Sequence, residues 1–334
     1  MPHDLPTLRF GLFGGPARRG AATTDAAGYR AYVEGVLEAE RLGFFGTYLV
    51  EHHFTGHGQV SASLNLLTYV AALTSTIRLG TAVVVVPWHN PVLLAEQAAT
   101  LDLLSGGRLD LGLGRGYRDY EFTGFGVPRS QAGDRFDEML TFLREAWASP
   151  SRFSFAGNHW KFTDIVIEPK PLQSPHPPIW VGAASASSIE AAAARGLKLF
   201  LDQVATRAEI AERVRIYREA QSEAGIPHHP NDIALTRPLL LAKDAKERDR
   251  LLESHLATLG TLSDSTSHAA DNPFYSNPRT RRERTEDGAI LGDAAECIDR
   301  LAAFRELGIH QVLFTRTTPQ SLRTFSETVM AAFS

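Results

Sequence analysis

The stretch RLGTAVVVV, residues 78–86, decides the fold. A strand with one wet face alternates apolar and polar residues. An unbroken β-branched run such as Ala82-Val83-Val84-Val85-Val86 instead predicts a strand buried on both faces, as in a parallel sheet covered by helices. Working outward, further strand candidates fall at 9–13, 46–50, 109–113, 178–182, 197–201, 233–241 and 310–314, making eight in all. Helical patterns alternate with them at about 25–42, 63–75, 91–104, 134–148, 187–195, 207–224, from 245 onward, and 294–307. Gly43, Gly106-Gly107, Gly196, Gly225 and Gly308 mark helix exits. Eight β/α units predict a (β/α)8 TIM barrel with insertions, a doubly wound sheet being the alternative. One insertion, 151–177, carries Phe153-Ser154-Phe155 and Trp160-Lys161-Phe162 around Gly157-Asn158 and reads as a hairpin between the fourth helix and fifth strand. The other, about 259–289, has no clear period and reads as a lid near the last strands. No linker separates two domains, so residues 1–334 are expected to form one.

Composition narrows the class. With 334 residues, 43% hydrophobic and 22% charged, the chain has ample core for a large domain. A formal charge of -4 gives no electrostatic case for a nucleic-acid partner. The first residues lack a charged and then apolar leader, and no apolar run is long enough to span a bilayer, so the expectation is no membrane and a cytoplasmic protein. The single cysteine, Cys297, excludes an internal disulfide and a thiolate metal cluster, and its helical surroundings point to packing.

Barrel enzymes gather chemistry at the carboxyl ends of their strands. Glu51-His52-His53-Phe54 sits there, after the strand at 46–50. Neighbouring strand residues face opposite sides, so one imidazole can face the site while the other packs sideways. The remaining histidines, including His57, His89, His159 and His255, show no ligand spacing, so no metal is expected. Leu109-Asp110-Leu111-Gly112-Leu113-Gly114-Arg115-Gly116 offers glycines for close backbone approach and a guanidinium for a phosphate, although a tight strand exit would read alike. Gly182-Ala183-Ala184-Ser185-Ala186-Ser187-Ser188 places hydroxyls at a helix start, where they serve as caps or as phosphate donors.

These segments, in order, resemble the bacterial luciferase family of flavin-dependent monooxygenases. The resemblance is carried by Leu49-Val50-Glu51-His52-His53-Phe54-Thr55, Gly80-Thr81-Ala82-Val83, Pro91 with Ala95-Glu96, Leu101-Asp102, Leu104-Ser105, Gly107-Arg108 and Gly112-Leu113-Gly114-Arg115-Gly116. It continues through Ser185-Ala186-Ser187 to Glu296-Cys297-Ile298.

The resemblance implies reduced FMN as co-substrate, with His52 beside the flavin handling protons during oxygen chemistry through a peroxyflavin. It places Ala82 and Val83 at a non-proline cis peptide under the flavin ring. Arg115, Arg135, Ser185 and Ser188 are placed at the flavin phosphate, with Gly114 and Ala184 on the same binding segments. Gly114 and Ala184 depart from luminescent relatives, which carry a cysteine and a carboxylate there, so light emission is not expected. An apolar substrate wall is expected from Phe13, Phe54, Trp88, Tyr117 and Phe122. Arg279, Arg281, Arg282 and Arg284 of the lid would approach the phosphate. Expected partners are O2, a small apolar organic substrate, a separate NAD(P)H-dependent flavin reductase and a second copy of the chain. A deazaflavin-dependent hydride-transfer enzyme, a metal-dependent hydrolase and a non-catalytic flavin-binding subunit are the alternatives.

Overall fold

The computed structural model describes residues 6–16, 24–56, 60–264, 277–315 and 317–333. In chain order its strands are β1 (Arg9–Gly14), β2 (Gly46–Leu49), β3 (Arg78–Thr81), β4 (Val84–Val85), β5 (Leu109–Gly114), β6 (Phe153–Ala156), β7 (Lys161–Ile165), β8 (Ile179–Gly182), β9 (Lys198–Leu201), β10 (Ile233–Leu241), β11 (Ile290–Gly292) and β12 (Gln311–Thr315). The helices are α1 (Asp25–Arg41), α2 (Ser63–Leu73), α3 (Pro91–Leu104), α4 (Asp119–Phe125), α5 (Ala132–Ala148), α6 (Ala186–Ala194), α7 (Arg207–Glu223), α8 (Ala245–Asp264), α9 (Pro278–Gly288), α10 (Ala294–Glu306) and α11 (Pro319–Thr328).

Hydrogen-bonded neighbours run β10-β12-β1-β2-β3-β5-β8-β9, and β9 pairs back to β10. That closure makes a (β/α)8 barrel and rules out the open doubly wound sheet. β11 adds to β10 and β4 to β5. All eight barrel strands coincide with the runs read from sequence, and the exit glycines at 43, 106, 107, 196, 225 and 308 adopt positive φ. The long run 78–86 is not one strand. It ends at Thr81, resumes as β4, and turns into a 3-10 helix at Val86–Trp88. The peptide between Ala82 and Val83 is cis.

By Cα proximity the chain divides into two compact units. One comprises Met1–Phe13, Glu38–Phe45 and Gly182–Ser334. Its core includes Phe10, which stacks on Phe314 at 5.7 Å and meets Phe325 edge-on at 5.0 Å. Arg237 is fully buried there, donating to the carbonyls of Asp202, Thr236 and Ala205. Burial pushes its pKa down to about 10. Cys297 is buried, and burial pushes its thiol up to about 12, which suits packing rather than chemistry.

The other unit comprises Gly14–Leu37 and Gly46–Val181. Tyr48 lies fully buried, and its hydroxyl donates to Asp110 at 2.8 Å. Arg78 grips the same carboxylate with two nitrogens, each at 2.8 Å. Gly80 makes this possible, because a Cβ there would sit 2.0 Å from a Tyr48 ring carbon. The expected hairpin is β6–β7, antiparallel, its turn held by Glu138 of α5, which accepts from the backbone N–H of Asn158, His159 and Trp160.

The second insertion needs correction. Helical structure extends to Asp264 and returns as α9, while residues 265–276 lie outside the described residues. The α9 arginines are engaged within the helix or with nearby acids. Arg279 pairs with Glu283, Arg282 with Glu253 and Glu286, Arg284 with Glu209, and Arg281 is buried. They are therefore structural charges here rather than free phosphate donors. Among the described residues, no helix is long and apolar enough to cross a membrane.

Candidate active site

The chain leaves β2 at Leu49 and immediately buries an acid. Glu51 is 2% exposed, and its carboxylate accepts from His53 Nε2 at 3.1 Å, Trp88 Nε1 at 3.0 Å and His89 Nε2 at 3.0 Å. Burial alone would raise its pKa, but the hydrogen bonds from His53 and His89 outweigh that and hold it below the ordinary carboxylate range. Three ring donors around one carboxylate fix the 3-10 turn after β4 against the segment after β2. His53 is thereby immobilised, its ring edge-on to Phe125 at 4.7 Å and to Trp88 at 5.8 Å. Among the described residues, no three His, Cys, Asp or Glu side chains converge as metal ligands.

His52 meets a different acid. Its Nδ1 lies 3.4 Å from Oε1 of Glu121, a carboxylate only 1% exposed, which also accepts the His53 backbone N–H at 2.9 Å. With Nδ1 toward the carboxylate, Nε2 is left to accept a proton. Burial lowers the His52 pKa below the ordinary 6.5, the Glu121 hydrogen bond raises it, and the nearby charge of Arg118 lowers it. The imidazole is therefore neutral at pH 7. The sequence reading missed Glu121 and the helix α4 that carries it. The available signal was Phe122 and Phe125 three apart, followed by Gly126, which caps the helix in the left-handed conformation.

Other residues read from sequence fall as follows. Gly114 ends β5, where a Cβ would come within 2.3 Å of a Val83 methyl, so Val83 occupies the space a larger residue at 114 would take. Arg115 is exposed and makes no hydrogen bond or ion pair among the described residues. Arg135 is spoken for: it donates to the Pro87 carbonyl at 3.2 Å and to Gln131 at 3.0 Å, and lies 5.2 Å over the Trp160 ring. Its place is to tie α5 to the turn after β4. Ser185 caps α6, accepting from the Ser188 N–H, while the two hydroxyls lie 2.9 Å apart at an exposed helix start that also includes Ala184.

The expected aromatic wall separates into two kinds of residue. Phe122 is buried against Trp88, and the half-buried Trp88 stacks on Phe125 at 4.8 Å, so both take part in ring packing. Phe54 and Tyr117 are 61% and 50% exposed, and the Tyr117 ring stands edge-on to His52 at 6.5 Å. Phe13, half-buried, belongs to the other compact unit, as do Ala184, Ser185 and Ser188.

The motif around 101–108 is architectural. Asp102, fully buried, accepts from the Leu172 and Gln173 backbone N–H groups and the Gln173 side chain. Arg108 satisfies carbonyls at the end of α2, including those of Ala71 and Thr74.

Within the second unit, Arg115 offers a guanidinium with no partner among the described residues, and His52 a neutral imidazole backed by a buried acid, a donor set that suits an anionic ligand.

Comparison with known proteins agrees. Residues 8–311 match the family described as luciferase-like monooxygenase. The oxygenase component of a flavin-dependent trigonelline monooxygenase from Acinetobacter baylyi is 28% identical, over 98% of this chain and 96% of its own. An FMNH(2)-dependent dimethylsulfone monooxygenase from Pseudomonas putida is 32% identical over 44% of this chain and 41% of its own. The crystal structure of the monooxygenase RslO1 from Streptomyces bottropensis superposes with a TM-score of 0.86 at 26% identity, covering 98% of this chain and all of that one. A match over nearly the whole length, on a closed parallel barrel, makes this chain a member of the luciferase-like monooxygenase family.

Proposed function

We propose that the protein takes reduced FMN from a separate NAD(P)H-dependent reductase and uses O2 to oxidise a small organic substrate with a largely apolar body. Reduced FMN, when bound, supplies the electrons that activate oxygen. The names of the relatives support both parts: one is FMNH(2)-dependent, and the other is an oxygenase component, which presupposes a partner. Arg115 binds the phosphate, and Ala82 and Val83 support the ring. A homodimer in the cytoplasm completes the proposal.

The observation that carries this reading is the His52–Glu121 pair. A histidine kept neutral by burial and oriented through Nδ1 by a sealed carboxylate is equipped to take a proton at Nε2 at neutral pH. Glu121 is a positioning residue, since it acts on the chemistry through His52. Glu51 fixes His53, Trp88 and His89 around it, which keeps the segment rigid and limits water on that side.

Anaerobic titration with reduced FMN tests the roles separately. Arg115→Ala is expected to weaken binding by about ten- to a hundredfold, the size of a charge-assisted contact. His52→Ala should bind reduced FMN as wild type does while substrate oxidation falls by about 10² to 10⁴. Unaltered binding in Arg115→Ala together with full activity in His52→Ala would reject the assignment.

A further inference from the structure

Arg118 is 8% exposed, yet among the described residues it has no carboxylate partner. Its Nε donates to the Tyr117 hydroxyl at 3.3 Å and its Nη1 to the Tyr120 hydroxyl at 2.7 Å. The guanidinium carbon lies 5.4 Å and 5.9 Å from the centres of those two rings. Nη2 donates to nothing among the described residues, and it is not among the unpaired nitrogens sealed from solvent. The contrast with Arg78, which grips Asp110 with two nitrogens, is plain.

A guanidinium stays charged at any physiological pH. Withdrawing it from water against phenol oxygens supplies acceptors but no counter-charge, and burying a charge is costly unless a partner neutralises it. Arg118 does not stabilise a protonated His52 either, because its charge opposes that protonation. What remains is a charged guanidinium with one open nitrogen, Nη2, one residue from the half-exposed Tyr117 ring that stands beside His52.

We propose that Arg118 anchors a carboxylate on the substrate: Nη2 binds the anion, and the Tyr117 ring packs against the apolar body next to His52. This deepens the reading of His52 as the site histidine and rests on it for the orientation alone. It commits the substrate class to an apolar or aromatic acid.

The test uses benzoate and its neutral counterpart benzamide, titrated by calorimetry into the whole protein, first without flavin and then with reduced FMN under anaerobic conditions. Benzoate is expected to bind about tenfold or more tightly than benzamide, the difference worth one charge-assisted pair. Arg118→Met should abolish that preference, and Arg118→Lys should keep part of it, since a point charge replaces the fork. The wild-type preference stands as a readout even if a variant fails to fold. Equal binding of the two probes, no saturable benzoate binding, or a preference surviving Arg118→Met overturns the proposal. So does Arg118→Met lowering selectivity for reduced FMN over reduced riboflavin while leaving benzoate untouched, because the charge then serves the flavin phosphate. Benzoate binding without any reduced FMN binding would sink the flavin reading and leave the anion site standing.

Discussion

Replacing Glu121 by glutamine removes a charge while keeping an acceptor of the same shape. In the native protein Oε1 lies 2.9 Å from the His53 N–H and 3.4 Å from His52 Nδ1, and the glutamine oxygen can serve both. The hydrogen bond and the charge of Glu121 both raise the His52 pKa, against burial and Arg118, which lower it and prevail. An opposite charge at this range is generally worth about 1 to 3 pKa units. Glu121→Gln should therefore drop His52 by about 1 unit or more, equivalent to about 1.4 kcal/mol of lost imidazolium stabilisation per unit.

NMR titration of the His52 ring, assigned by its loss in His52→Ala, reads this without any substrate. Because the folded pKa is below the unfolded one, the unfolded chain binds more protons in the window beneath 6.5. The contribution of His52 to stability is then complete above that value and declines as pH falls through the window. The acid limb of substrate oxidation should likewise lie below 6.5 and move lower still in the glutamine variant. A native His52 titrating above 6.5, or a glutamine variant whose His52 is unmoved or raised, refutes the reasoning.

Glu51→Ala strands three ring donors around a buried hole and should cost about 3 to 5 kcal/mol in urea unfolding; a loss below about 1 kcal/mol would deny the carboxylate its organising role. Since the Glu51 pKa is lowered in the fold, its contribution is present above the ordinary value of 4.5 and fades as pH falls through the folded pKa, so acid unfolding should be steeper in wild type than in Glu51→Gln. Gly114→Ala forces a Cβ to 2.3 Å from Val83 and should cost about 1 to 3 kcal/mol, and adding Val83→Ala should recover most of it. Strictly additive losses in that cycle would show that the two residues do not share the space.

The barrel was legible because its strands are buried on both faces, so they read as apolar runs such as Ile179–Val181 and Leu239–Leu241, with single charges such as Asp110 and Lys198 interrupting others. The break inside residues 78–86 was invisible to periodicity, because the apolar run continues without interruption from Ala82 to Val86. His52 was legible from its place at a strand end. Its partner was not: Glu121 sits on a seven-residue helix, and glutamates are seldom buried, so composition argued against it. Arg135 and the α9 arginines show the converse. Sequence gives a charge but not its neighbours, and here a carbonyl, an indole ring and nearby acids had already claimed them. Asp102 and Arg108 mark the family while serving loop anchorage and helix capping.

Oxygen handling is the central claim, and stopped-flow mixing of the protein–reduced FMN complex with O2, followed by the appearance of hydrogen peroxide, tests it most directly. The account predicts that bound reduced FMN releases peroxide well behind free reduced FMN, and that a substrate acid diverts the oxygen into product. Peroxide appearing at the free-flavin rate, with or without the protein, would contradict it.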